Sequence, residues 1–188
     1  MSSDELKRKL EFFYKKYHTP LFLNTDPVQC VHHFSSPRDR EIAGLVTSAL
    51  AYGRAEIIIR NCEWVFGKTG LKIAEFVTET DYSEKKKVFK GFKHRFNDHI
   101  DLSALLECIS VVLKEYGTIE NLFSEPGSCS VKESLNHSTR FFKELGEKLI
   151  GSRKKSFEYL FPSPESGSAC KRMNMYLRWM VRPDDSID

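Results

Sequence analysis

Apolar residues recur three and four positions apart along most of the chain, and strict alternation is almost absent, so the pattern predicts an all-α protein. Ser36 followed by Pro37 reads as a cap and a first-turn proline. Ile42, Leu45, Val46, Ala49 and Leu50 then mark one helix face until Gly53 ends the run. A further helix is expected from Arg54. Asp101 is expected to cap another, in which Leu102, Leu105, Leu106, Ile109, Val112, Leu113 and Tyr116 form a stripe that ends at Gly117 and buries one side. A third long helix is predicted over 130–149, interrupted at Ser138 and stopped by Gly151. The prolines and glycine of 162–168 forbid helix and predict a hairpin-like turn into a last amphipathic helix over about 168–182. A helix over 3–17 is expected to lie against the rest. No fixed-period repeat is present, so residues 1–188 read as one cooperative helical unit.

Composition narrows the classes. With 188 residues and 40% hydrophobic content the chain can build a packed core, which excludes disordered and fibrous classes. Lys and Arg number 29 against 26 Asp and Glu, a net charge of only +3, so any nucleic-acid surface must come from charge segregation. Residues 151–182 hold seven basic side chains against two acidic ones, and the rest of the chain is net negative. A smaller cluster, Lys85, Lys86, Lys87, Lys90, Lys93 and Arg95, interleaves with Phe89, Phe92 and Phe96. Such mixtures grip phosphates and stack on bases, or else are solvated helix faces whose aromatic residues belong to the core.

Cysteines at 30, 62, 108, 129 and 170 match no thiolate knuckle, and His32, His33, His94 and His99 lack partners at ligand spacing. No metal and no cofactor are expected. Neither an export segment nor a bilayer-length apolar run is seen, which predicts a cytoplasmic protein without disulfides and without a membrane partner.

The chemistry-bearing candidates cluster near the last helix. A turn at Gly167, Ser168 and Ala169 that enters a helix leaves backbone N–H groups free to hold a phosphate oxygen. Lys171 falls in the first helical turn and shares one side with Met175, Arg178 and Arg182, while Ala169, Met173, Tyr176, Leu177, Met180 and Val181 face the core. The lysine is therefore presented outward, with Arg172 and Arg178 as phosphate contacts. Tyr52 and Arg54, at the break between two helices, are expected to line the cleft and touch DNA. The charged first turn of Arg38, Asp39 and Glu41 reads as helix capping, and Tyr176 and Trp179 as core.

Gly167-Ser168-Ala169-Cys170-Lys171, an amphipathic helix, and then Ile187-Asp188 resemble the hairpin, lysine and aspartate of the helix-hairpin-helix (HhH-GPD) DNA glycosylases. Over nearly the whole chain, the segment from Ser36 to Glu41, the run from Ala49 to Arg54 and the stretch from Gly167 to Val181 resemble an uncharacterised conserved-hypothetical bacterial family, itself distantly similar to those glycosylases. The resemblance implies a helix-hairpin-helix DNA-glycosylase-like bundle. It also implies a duplex DNA partner with a damaged or abasic nucleotide flipped between helices. Lys171 would be the nucleophile that forms a Schiff base with the deoxyribose, and Asp188 would stabilise positive charge on the sugar. Ala169 stands where the hairpin pattern has its second glycine, and Leu50 where a glycosylase carries a polar residue that fills the gap of the flipped base. Relatives continue past Asp188 through further helices, so the fold is expected to be C-terminally incomplete. The expected function is a DNA glycosylase or glycosylase/lyase. The alternatives are a non-catalytic DNA-binding module and a helical protein-interaction domain.

Overall fold

The computed structural model describes residues 1–124 and 130–182. Among these the chain is all-α: helices α1 (Ser3–Tyr17), α2 (Pro20–Leu23), α3 (Gln29–His32), α4 (Pro37–Leu50), α5 (Ala55–Thr69), α6 (Ile73–Glu79) and α7 (Tyr82–Val88) precede a minimal hairpin. The hairpin pairs β1 (Lys93–His94) with β2 (Asn97–Asp98), antiparallel, Lys93 opposite Asp98 and His94 opposite Asn97. After it come α8 (His99–Glu115), α9 (Ile119–Ser124), α10 (Val131–Ile150), α11 (Lys155–Leu160), a 3₁₀ turn (Pro164–Ser166) and α12 (Lys171–Val181).

Two helices carry the core. Every residue of α4 from Ile42 to Leu50 is buried, enclosed by α3, α5, α6 and α12. Helix α8, expected to bury one side, is buried almost all round from Asp101 to Leu113, between α6, α7, α9, α10 and α11. Its apolar content explains the difference: Ala104, Cys108, Ser103 and Ser110 are small enough to accept neighbours on the faces outside the leucine stripe. Helix α12 lies close on α4 because Gly44 leaves room. A Cβ there would come within 2.8 Å of the Met180 methyl and 3.4 Å of the Tyr176 ring.

Several boundaries differ from the periodicity. The cap of α8 is Asp98, not Asp101: Asp98 Oδ1 accepts from the Ile100 and Asp101 amides at 2.9 and 3.2 Å, and Asp101 Oδ2 accepts the Asp98 amide in return at 3.1 Å. This reciprocal capping box leaves Asp101 inside the helix. The acids at the start of α4 do not cap their own helix. Asp39 accepts the Ala74 amide at 2.8 Å at the start of α6, and Glu41 accepts the Glu120 amide at 2.6 Å in α9. Helix α12 starts at Lys171 rather than near 168, because Gly167 and Cys170 both adopt left-handed backbone, φ 73° and 48°. Ala169 and Val181, expected to face the core, are exposed. Helix α1 spans the expected residues but contains no buried residue, so it is not laid against the core along its length.

A packing test follows from Gly146, where α10 crosses α11. A Cβ at that position would lie 1.9 Å from the Phe157 ring, which is itself buried. Gly146→Ala is expected to lower unfolding free energy by about 1–3 kcal/mol in urea titration. Gly67→Ala, at an open helical position with nothing within 4 Å, is expected to raise it by about 0.4–1 kcal/mol.

Candidate functional site

The loop after α4, the hairpin, the end of α11 and the start of α12 converge on one aromatic and cationic face. Its foundation is Asp101, fully buried at the start of α8. Oδ2 accepts from the Asp98 amide and from Asn97 Nδ2 at 3.0 Å, and Oδ1 accepts from Ser156 Oγ at 3.1 Å and pairs with Lys154 Nζ at 3.0 Å. Lys154 also donates to Asp98 Oδ1 at 2.7 Å. Burial works against the charge on Asp98, but the Lys154 ammonium and the Asp101 and Ile100 amides outweigh it and hold the carboxyl below its usual range. Burial likewise draws Lys154 down, and the two carboxylates more than offset it, so its pKa is raised.

From this base the network reaches outward through Asn97. Its Nδ2 donates to the Ser156 carbonyl at 2.7 Å, and its Oδ1 accepts a short hydrogen bond from the Tyr52 hydroxyl. Tyr52 also donates to the His94 carbonyl at 3.2 Å. Burial pushes the Tyr52 phenol well above its ordinary value, so it remains a donor. His94 is buried with both ring nitrogens engaged: Nδ1 accepts from Asn61 at 2.8 Å and Nε2–H donates to the Tyr52 carbonyl at 3.1 Å. Those partners assign the neutral Nε2–H tautomer, and burial lowers its pKa accordingly.

Four side chains complete the face. The Phe96 ring stacks on Tyr52 at 5.4 Å, and Tyr159 meets Phe96 edge-on at 4.7 Å and Tyr52 at 5.1 Å. The Arg172 guanidinium lies 4.7 Å from the Tyr159 ring and 5.0 Å from the Tyr52 ring. It donates to the Ala49 carbonyl at 2.5 Å and, by a short bond, to the Tyr159 carbonyl. Arg172 is thus a positioning residue that fastens α12 to α4 and α11, and it is not the outward phosphate contact expected from its place beside the hairpin.

The remaining predicted residues are distributed as follows. Lys171 is exposed and opens α12, whose N-terminus has no side-chain cap among the described residues. Gly167 closes the 3₁₀ turn, and Ser168 Oγ accepts the Cys170 amide at 3.0 Å, so the 167–169 turn spends its serine on its own backbone. Arg54 is 78% exposed and pairs with Glu56 at 3.1 Å. Arg178 is exposed on the same side of α12 as Lys171. Asp188 lies outside the described residues. The structure therefore brings Tyr52, Arg172 and the start of α12 together, with Arg54 two residues from Tyr52 in the chain.

A broad groove of about 1250 Å³ runs along the other side of α12, lined by Tyr176, Leu177, Met180 and Val181 with Phe123 and Val131 opposite; Lys171 is not among its lining residues. Of the basic cluster over 85–95, Lys85 is buried and donates to the Val77 and Thr80 carbonyls and to Glu107, and Phe89 and Phe92 are core. Only Phe96 of those aromatics is exposed, at 45%. Phe96, His94, Asn97, Asp101 and Tyr159 were missed as site residues. The one available signal was Phe96 among cations, because the other four join the face through contacts 40 or more residues apart in the chain or, for Asp101, through burial.

Fold and site together define an all-helical protein with a clustered aromatic and cationic face. The chain belongs to the family described as protein of unknown function (DUF2400), whose model matches residues 26–188. The match takes in the 36–54 and 165–188 segments and begins after α1 and α2. No curated protein and no solved structure matches the chain. No helix among the described residues is long and apolar enough to cross a membrane, and those residues contain no group of three or more His, Cys, Asp or Glu that would hold a metal ion.

Two outcomes check this geometry. Free histidine titrates near pH 6.5, and a folded-state pKa below that means the unfolded chain takes up the proton first. The stability from neutral His94 is thus complete above about pH 6.5 and is lost as pH falls towards the folded value. An NMR titration should place the His94 midpoint below 6.5. Tyr52→Phe removes one hydrogen bond and leaves Asn97 Oδ1 without its donor, and should cost about 1–3 kcal/mol in denaturant titration.

Proposed function

We propose that the protein processes DNA in the manner of the HhH-GPD glycosylases, as a base-excision glycosylase or glycosylase/lyase with Lys171 as nucleophile. The observation that carries this reading is the exposed Lys171 amine at the first residue of α12, one Cα step of about 3.8 Å from Arg172, which is docked on Tyr52 and Tyr159. The amine lone pair attacks C1′ of the deoxyribose, and the glycosidic electron pair departs with the protonated base. Loss of the ammonium proton and opening of the sugar ring then give an imine that links Lys171 to the sugar. Asp188, as the resemblance assigns it, stabilises the positive charge that builds on the sugar as the base leaves. The uncapped start of α12 offers amide N–H groups to the phosphate beside that sugar.

A second reading, a DNA-binding module without chemistry, is favoured by one observation: the broad groove along α12 lies on the side turned away from Lys171. A pocket for a flipped nucleotide has to form elsewhere for catalysis, whereas phosphate and base contacts on the aromatic face need none. The third reading, a protein-interaction domain, draws on the apolar lining of that groove and on the exposed Leu6, Leu10, Phe13 and Tyr17 stripe of α1.

Borohydride trapping separates the first two. Incubated with duplex containing an abasic nucleotide, the protein should yield a covalent adduct as hydride reduces the imine to a stable amine. The adduct should vanish in Lys171→Ala, and Asp188→Asn should slow base release while binding persists. Salt-dependent binding with no adduct and no base release across a lesion panel sinks the catalytic reading and leaves the module. Absence of any DNA binding removes both.

A further inference from the structure

We infer that the exposed pair Phe96 and Tyr159 is a stacking seat for an unpaired nucleobase, so that the protein selects single-stranded or locally unpaired DNA over intact duplex. The inference rests on the DNA reading above and gives that surface a preferred strand state.

The hairpin tip is built against ordinary turn chemistry. Two-residue turns favour Gly, Asn or Asp, yet this one is Arg95-Phe96, with Arg95 at φ +54° and a large apolar ring at its apex. Phe96 stays 45% exposed and Tyr159 47% exposed, although the core lies within reach of the same hairpin through His94 and Asn97. Strain and exposed apolar surface at one spot are tolerated where the surrounding structure fixes them, and here it does. Tyr52 stacks beneath Phe96, while the Arg172 guanidinium contacts Tyr52 and Tyr159 together. Both rings are therefore held in place before any ligand arrives, which spares the cost of ordering them on binding.

The surrounding charges select the ligand class. Lys93, Arg95 and Lys155 are exposed on the hairpin and at the start of α11, the Arg95 side chain packs against Gly53, and Arg54 follows in the chain. The nearby acids are already committed: Asp98 and Asp101 to Lys154, Glu158 to Arg153 at 2.6 Å, and Glu56 to Arg54. A sugar-binding aromatic site needs free carboxylates or amides for hydroxyl groups. A face with open rings and surplus cations fits a base with its phosphate. Inside a duplex both faces of a base are covered by its neighbours, so only an unstacked base offers a ring to Phe96 and Tyr159.

Fluorescence anisotropy with labelled oligothymidylate and a fully paired duplex of equal length, at one ionic strength, tests the inference. The protein should bind the single strand more tightly. Phe96→Ala and Tyr159→Ala should each weaken single-strand binding by about 5- to 150-fold, Phe96→Trp should retain it, and Arg54→Ala should flatten its salt dependence. Phe96 projects into solvent, so its variants should keep the wild-type melting curve. Equal or tighter duplex binding by the wild type, or unchanged affinity in Phe96→Ala, overturns the inference. Adduct trapping on the same proteins keeps the two proposals apart. Loss of single-strand binding in Phe96→Ala without any adduct sustains the seat and sinks the chemistry. An adduct whose formation Phe96→Ala leaves untouched does the reverse.

Discussion

The buried carboxylate of Asp101 is the constraint on which the candidate site depends. An ionised group without exposure is tolerated only when its acceptor positions are filled, and Asp101 receives the Asp98 amide, Asn97, Ser156 and Lys154. Those four donors come from the hairpin, the residue just before α11, and α11 itself. Satisfying one oxygen pair therefore fixes where three chain segments meet. Asn97 passes the constraint on to Tyr52, and Tyr52 to Phe96, Tyr159 and Arg172. The exposed face is the outer layer of a polar network whose inner layer is dry.

This layering explains which features the sequence discloses. Helices α1, α4, α5, α8 and α10 are legible because each is long, periodic and bounded by a cap or a glycine, as with Ser130 and Gly151 around α10. The short helices α3, α6, α7, α9 and α11 span four to seven residues, too few for periodicity to register. Asp101 misleads for a definite reason. It carries the residue type of a cap and precedes an apolar stripe, but Asp98 offers the same chemistry three residues earlier, and the box formed by the two acids puts the helix start there. At the site, Tyr52 and Lys171 are readable from the loop and helix start they occupy. The role of Arg172 is not, because its partners, the Ala49 and Tyr159 carbonyls, lie 123 and 13 residues away.

Family membership and geometry divide the account cleanly. Membership in DUF2400 fixes kinship over residues 26–188 and carries no activity with it. What distinguishes the two faces of α12 is chemistry. One bears Lys171 and Arg178 beside the ring cluster, and the other is the apolar lining of a wide groove. A nucleic acid and an apolar partner are not interchangeable across those faces, since phosphates need the first and are repelled by the dry walls of the second.

Photocrosslinking decides which face nucleic acid uses. A single strand carrying 5-bromodeoxyuridine, irradiated in complex with the protein and mapped by peptide mass spectrometry, should attach at Phe96 or Tyr159 on the Asp101-supported face. Attachment confined to Leu177, Met180 and Val181 in the groove, or to α1, would contradict the account.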